Sequence, residues 1–238
     1  SEPGTGSDLQ GVRTTAVKKG NRYLLNGSKT FITNGQHANL IIVVSKTDPK
    51  ERHKGISLMV VETDDAPGFR RGRKLKKLGN DSADTSELFF EDVSLPTENL
   101  LGTEEGQGFA QLMNELPQER LLVATHAVAM MERALALTID YVKQRQAFGK
   151  KIVEFQNTQF VLAGLKAEAT MAKVFVNYCV GELLAGRLDV TTAAMAKLLT
   201  TDLQGKVVDQ FQGALPEAKL REFIDRLMPN PAQVELEL

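Results

Sequence analysis

The sequence predicts an α+β chain, with a β-barrel or sandwich followed by an antiparallel helical bundle. Three observations point there. Before Gly106, short β-branched runs alternate with turn residues. After Gly106, apolar residues recur at helical spacing over long stretches. The links between those stretches are short, which suits antiparallel neighbours.

The β part comes first. Tyr23-Leu24-Leu25 runs into Asn26-Gly27-Ser28, and Asn-Gly after an apolar run predicts a hairpin turn. Leu40 to Ser45 is a continuous apolar run of the buried-strand type. Ile56 to Glu62 and Glu87 to Val93 read as two more strands, punctuated by Asp48-Pro49, Ala66-Pro67-Gly68 and Leu78-Gly79-Asn80-Asp81. Strands this short suit a small barrel or sandwich.

The helices follow. A proline in a first helical turn costs nothing, because its missing N–H would have no partner there. Pro117 is therefore expected to open a helix and to place Glu119, next to Arg120, in its first turn. Leu121, Ala124, Val128, Met131, Leu135 and Val142 continue the helical spacing through Gln144. A second helix is predicted from about Asn157 to Ala185, with Gly186 and Arg187 as its stop. Asp189 is the expected N-cap of a third, which continues through Met195 to Val208. From Asp209 the pattern changes. Gly213 breaks it, and Pro216-Glu217 open a short helix carrying Leu220, Phe223, Ile224 and Leu227 on one face.

Composition narrows the function. A formal net charge of −1 gives no pull toward nucleic acid or an anionic membrane surface. Cys179 is the single cysteine, so no internal disulfide forms; it lies in an apolar helical run, where packing accounts for it better than nucleophilic chemistry. Three histidines and one cysteine, all far apart in sequence, make no metal site. No run reads as long and apolar enough to span a bilayer, and no signal peptide is visible. The loop-like Ser1-Glu2-Pro3-Gly4, without an initiator methionine, reads as a truncated start.

Four stretches carry candidate chemistry. Glu2-Pro3-Gly4-Thr5-Gly6-Ser7-Asp8 is a glycine-spaced loop that can bring backbone N–H groups to an anion or a polar ring, or is a plain solvated loop. Phe31-Ile32-Thr33-Asn34-Gly35 puts an aromatic and a hydroxyl on alternate residues of an extended segment, so Phe31 and Thr33 point the same way. That pair can flank a flat heterocycle or serve ordinary sheet packing. In Arg145-Gln146-Ala147-Phe148-Gly149-Lys150, Gly149 permits a sharp turn and Arg145 can grip a phosphate, or answer a helix dipole. The fourth is the acid–arginine pair Glu119-Arg120, alternatively a solvated charged pair.

Together these stretches resemble the acyl-CoA dehydrogenase family, flavoproteins that oxidise acyl thioesters. Ser1 to Asp8 resembles the family's first flavin loop, and Leu25-Asn26-Gly27-Ser28-Lys29 through Gly35 its second. Leu78-Gly79 and Thr85 to Val93 resemble the run that closes the β-domain. Gln144 to Lys150 resembles the segment that reaches the flavin of a neighbouring subunit. The resemblance implies a β-domain over 1–103, a partial C-terminal helical bundle over 104–208 and a divergent tail over 209–238. It implies FAD contacts from Ser1, Gly6, Ser7, Phe31 and Thr33, and contacts across a dimer interface from Arg145, Phe148 and Gln156. It implies that Ser7 and Arg120 face the CoA portion of the substrate. Most relatives carry the catalytic glutamate far downstream, near a Tyr-Gly-Gly/Glu-Gly-Thr stretch that is absent here. A smaller group, including the long-chain and isovaleryl enzymes, carries it on the helix that holds Glu-Arg, which makes Glu119 the candidate base.

The implied reaction is FAD-dependent α,β-dehydrogenation of an acyl-CoA thioester to a trans-2-enoyl-CoA. Electrons would pass to an electron-transfer flavoprotein, in a homo-oligomer (dimer or tetramer) of the bacterial cytoplasm or mitochondrial matrix. A carboxylate in an apolar, dehydrated cleft is the kind of base such a weakly acidic α-proton needs. The alternative expectation is a non-catalytic remnant or fusion fragment acting only as an interaction module.

Overall fold

The computed structural model describes residues 1–77 and 79–212, with side chains described through residue 207. Leu78 and the short helix expected from Pro216 lie outside the described residues. Two compact units are present, Ser1–Asn114 and a second that begins at Glu115.

The first unit is built on one six-stranded sheet. Its strands are β1 (Thr15–Lys19), β2 (Arg22–Thr33), β3 (Leu40–Lys46), β4 (Ile56–Glu62), β5 (Phe69–Lys74) and β6 (Thr85–Pro96), in the order β4-β3-β1-β2-β6-β5. All neighbours are antiparallel except β1 and β3, which meet in parallel at Thr15 and Lys46. Alternate residues of these strands close one core, including Ala16, Tyr23, Leu25, Val43, Met59, Leu88, Phe90 and Val93. The charged strand β5 carries no apolar run to announce it. It is an edge strand, with Arg70 laid over the Phe89 ring at 4.2 Å, and a cationic edge resists unwanted pairing.

The hairpin turn is not at Asn26-Gly27. Those residues lie inside β2, and the β1–β2 turn is Gly20-Asn21, with Gly20 at φ 62° between paired Lys19 and Arg22. Gly-Asn is itself a two-residue hairpin signal. Asn26 instead serves a bulge: Leu25 pairs with Val93 and Gly27 with Phe90, so Glu91 and Asp92 of β6 together face Asn26 alone. Its amide replaces the lost ladder bonds, donating from Nδ2 to Asp92 Oδ1 at 2.9 Å and accepting from Asp92 N at 2.8 Å. Gly27 is required for a different reason. At φ 150°, any Cβ there would lie 2.4 Å from Thr14 Oγ1.

The first helix, α1 (Gly108–Gln144), begins well before Pro117. Gly108 starts it in close contact with Ser57, whose carbonyl carbon would meet a Cβ at 2.8 Å. Pro117 is therefore interior and buried, and Glu119 is not in the first turn as expected. An interior proline leaves one carbonyl without its helical donor, a cost tolerated where packing holds the helix. A short hairpin of β7 (Gln146–Ala147) and β8 (Lys150–Lys151) follows, then α2 (Gln156–Leu184) and α3 (Val190–Gln212). The third helix runs past its predicted end at Val208. Leu121, Val128, Met131 and Leu135 of α1 form one core with Leu165, Ala172, Val176 and Cys179 of α2 and Ala196 and Val207 of α3. Gly186 at φ 69° ends α2, with Arg187 N donating to Glu182 O at 2.8 Å. Asp189 caps α3, accepting from Thr192 N at 2.9 Å.

One exclusion drawn from the sequence is corrected here. By length and composition α1 holds a stretch apolar enough to cross a bilayer, with a mean hydropathy of 1.4. Thr125, His126, Glu132 and Arg133 interrupt the stretch, so the sequence shows a stripe there rather than an unbroken apolar run. In the unit that stripe, from Leu121 to Leu135, is the one buried in the helical core.

Candidate functional site

The first loop is fixed by a buried ion pair. Glu2 and Thr5 bond each other's backbones, Glu2 N to Thr5 O at 2.7 Å and Thr5 N to Glu2 O at 3.1 Å. The Glu2 carboxylate turns inward. It accepts from Arg13 N at 2.7 Å, Thr14 N at 3.1 Å, Thr14 Oγ1 at 2.6 Å and Lys29 Nζ at 2.7 Å. Lys29 donates a second bond to Val44 O at 2.6 Å. Both side chains are buried, 7% and 5% exposed. Burial alone would raise the Glu2 carboxyl, but the bonds from Lys29, Thr14 and Arg13 outweigh it and bring it from 4.5 to about 2. Burial pushes Lys29 down, against the pull of the Glu2 charge.

Above this pair the loop offers donors. Gly6 and Ser7 are exposed, and neither backbone N–H has a partner among the described residues. A cavity of about 100 Å³ lies against the loop, lined by Ser1, Thr5, Gly6, Lys29, Ile32 and Val44, among others. Thr30 N donates to Ser1 O at 3.0 Å, which joins the first loop to β2 just before Phe31.

The segment Phe31 to Gly35 is not the plain extended strand expected. Lys29 pairs with Leu88 and Ile32 with Ser86, so Thr30 and Phe31 together face Glu87 in a second bulge. Phe31 has φ 58°, an unusual conformation for a bulky residue, and is 68% exposed. Thr33 is exposed beside it in sequence. The segment's far end is pinned by Asp84, which is 2% exposed. Asp84 accepts from Gln36 N at 2.9 Å and Ser86 Oγ at 3.0 Å, and its carbonyl from Asn34 N at 3.1 Å. Burial opposes the Asp84 charge, but the bonds from Gln36 and Ser86 hold its carboxyl below the usual range.

These residues suit a flat ring carrying polar edge atoms. Two free amides and the Ser7 hydroxyl are set on a tethered loop. An exposed aromatic face and the Thr33 hydroxyl lie on the adjoining strand.

The remaining predicted residues lie in the helical unit. Glu119 is exposed on α1, and no ion pair or hydrogen bond holds its carboxylate among the described residues; Arg120 is half-buried and unpaired with it. Arg145 follows the last turn of α1, its N–H bonded to Tyr141 O at 2.9 Å, with its side chain exposed. Phe148 and Gly149 form the β7–β8 turn, at φ 54° and 78°, a pairing that matches the twist of a two-residue hairpin. The Phe148 ring is 96% exposed, edge-on to Phe155 at 6.4 Å. Gln156 is exposed at the start of α2. Cys179 is fully buried, and burial pushes its thiol up, as a packing residue requires. No cluster of metal-ligating side chains exists among the described residues.

Sequence reasoning missed Glu2, Thr14, Lys29 and Asp84 as site residues. Lys29 left a signal: it falls on the inward register of β2 with Tyr23 and Leu25, where a lysine needs a buried partner.

Comparison with known proteins gives this architecture its kin. Residues 1–93 match the family model for the acyl-CoA dehydrogenase middle domain, and residues 106–214 match that for the acyl-CoA dehydrogenase C-terminal domain. The chain is 50% identical over 209 residues to the long-chain specific acyl-CoA dehydrogenase of Mus musculus mitochondria, covering 87% of this chain and 48% of that one. It superposes on the acyl-CoA dehydrogenase of Geobacillus kaustophilus with TM-score 0.87 and 48% identity, over 96% of this chain and 62% of that one. It superposes on the butyryl-CoA dehydrogenase of Megasphaera elsdenii with TM-score 0.86 and 37% identity, over 96% and 62%. The chain thus spans about half the length of the curated relatives it matches. Two adjoining domain matches in the family's order, with half of the aligned residues identical to a long-chain enzyme, place this chain in the acyl-CoA dehydrogenase family.

Proposed function

We propose that this chain supplies the flavin-facing β-unit and the catalytic base of an enzyme that converts acyl-CoA thioesters to trans-2-enoyl-CoA. The observation that carries the reading is the Thr30 N to Ser1 O bond. It brings together, within one unit, the two segments that the family resemblance assigns to a single cofactor.

FAD is the cofactor that fits. Bound FAD would accept the hydride leaving the β-carbon of the thioester. The chain's own residues bind, orient and move a proton. Gly6 and Ser7 offer their free amides, Ser7 and Thr33 their hydroxyls and Phe31 its ring face. Ser1 contributes the loop carbonyl already bonded to Thr30. Glu119 takes the α-proton onto its carboxylate as the hydride departs, and a positioned base of this kind is worth about 10²–10⁴-fold in rate. Arg120 and Ser7 face the CoA portion. Arg145, Phe148 and Gln156 reach a neighbouring subunit's flavin in a homo-oligomer, a dimer or tetramer. An electron-transfer flavoprotein would take the electrons onward, in a mitochondrial matrix or a bacterial cytoplasm. Glu119 is exposed rather than set in the apolar cleft expected of it. What supports its role is the family resemblance of the Glu119-Arg120 helix, together with the absence, among the described residues, of an ion pair committing its carboxylate elsewhere.

The test is Glu119→Gln in the whole enzyme. Flavin content is expected to hold while turnover of acyl-CoA falls by about 10²–10⁴-fold. Near-normal turnover would remove Glu119 as the base.

A further inference from the structure

We propose that Glu2 and Lys29 are positioning residues, which set the amides of Gly6 and Ser7 and the ring of Phe31 at one spacing for the cofactor. The proposal rests on the flavin reading above and adds the device that holds its two segments together.

Backbone bonds within the loop (Glu2 with Thr5, Leu9 N to Ser7 O, Gly11 N to Asp8 O) shape it, and Thr30 N to Ser1 O ties its first residue to β2. Among the described residues, its side-chain anchor to the sheet is Glu2. Pro3, Gly4, Gly6, Ser7 and Asp8 are exposed. Thr5 and Gly6 border the cavity that Lys29, Ile32 and Val44 also line. Glu2 is its one buried residue, and its carboxylate reaches the segment before β1 through Arg13 N, Thr14 N and Thr14 Oγ1. Lys29 carries the link onward to β2 and, through Val44 O, to β3. Two residues beyond Lys29 stands Phe31, in its left-handed bulge. One ion pair therefore joins the donor loop at one end to the aromatic at the other. Its bonds of 2.6–3.1 Å fill the carboxylate with four donors, and such a filled acceptor fixes orientation more strongly than a lone contact. Gly27 protects the same arrangement, since any side chain there would strike Thr14.

A pair that merely stabilised the unit would behave differently from one that sets a distance. The experiment uses the full-length enzyme, with three readouts: the dissociation constant for FAD, the fine structure of the bound-flavin absorbance, and thermal unfolding of the apoprotein. Glu2→Asp keeps the charge but draws the carboxylate back by one methylene. Glu2→Gln with Lys29→Met removes both charges at similar volume and leaves no buried ion unpaired. Positioning predicts that the double variant regains most of the apoprotein's melting temperature, yet binds FAD at least tenfold more weakly with blurred flavin bands. It predicts the same flavin defect in Glu2→Asp. If FAD affinity and band shape follow melting temperature in both variants, or stay at wild-type values, the proposal is overturned. If the wild-type enzyme takes up no FAD, the functional reading falls instead, so the two failures are distinct.

Discussion

The Glu2 carboxyl makes a specific acid-stability prediction. Its folded-state value of about 2 lies below the ordinary 4.5, so the native state holds its proton less tightly than the unfolded chain. The resulting stabilisation is fully present above 4.5 and is lost as the pH falls toward 2. At about 1.4 kcal/mol per pH unit, that gap corresponds to about 3 kcal/mol, of which about 2 kcal/mol is gone by pH 3. The side chain is 5% exposed, so little of this is lost to solvent screening. The comparison is wild type against Glu2→Gln, a neutral side chain of the same shape. Other carboxyls titrate in both proteins and cancel in the difference. Urea unfolding followed by the amide NMR signals of β2 reports the β-unit alone. At pH 6 the variant is expected to be the weaker, and by pH 3 the gap is expected to narrow by about 2 kcal/mol. A gap that stays constant between those pH values would refute the claim that this carboxylate is held charged by Lys29 and Thr14.

Two other substitutions test separate parts of the fold. Gly27→Ala combines φ 150° with a Cβ 2.4 Å from Thr14 Oγ1 and 2.7 Å from Thr14 Cα; a loss of at least about 2 kcal/mol in urea unfolding of the β-unit is expected, and a loss below half of that would show that the strand relaxes freely. Phe148→Asn places a residue tolerant of positive φ in the β7–β8 turn and is expected to raise the chain's stability by about 1 kcal/mol. In the whole enzyme the same change is expected to weaken FAD retention, measured as flavin per subunit after gel filtration; unchanged retention would count against the reach of Phe148 to a neighbouring flavin.

Long-range order was legible in this sequence wherever one face of an element is apolar. The stripe from Leu121 to Leu135 gave α1, and the runs from Leu40 and Ile56 gave β3 and β4. The misreadings share a cause, which is that a local signal was overruled by tertiary contacts. Asn26-Gly27 carries turn chemistry, but the chain uses Asn26 to cap a bulge and Gly27 to pass Thr14. Pro117 carries helix-start chemistry, but packing against Ser57 begins the helix at Gly108. Strand β5 lacked a signal altogether, because its residues are mostly charged, and the half-buried Arg71 is held by bonds to Ala38 O and Thr63 Oγ1 that no local pattern displays. At the site, the residues expected to touch a ligand were visible as sequence patterns. Glu2, Lys29 and Asp84 act behind them through bonds spanning 11 to 48 residues, and no window of the sequence displays such partners together.

The positive-φ residues sharpen this division. Among the described residues, five non-glycine residues adopt such a conformation: Phe31, Asn34, Asn80, Asp92 and Phe148. Asn34 and Asn80 are of a type that tolerates it, and Asp92 is held by the amide of Asn26. The two aromatics have neither excuse. Each sits in a bulge or turn that turns its ring outward, 68% exposed for Phe31 and 96% for Phe148. Each therefore carries two costs, a strained backbone of about 1–3 kcal/mol and an apolar ring left in water. Among the described residues, the one ring contact that either makes is that of Phe148 with the edge of Phe155. Strain of this kind persists where the surroundings enforce it and gathers at ligand sites. The Glu2–Lys29 clamp enforces it at Phe31, and the closed β7–β8 ladder enforces it at Phe148. Two rings held out at such cost, one in each compact unit, are the residues for which a planar partner would return most.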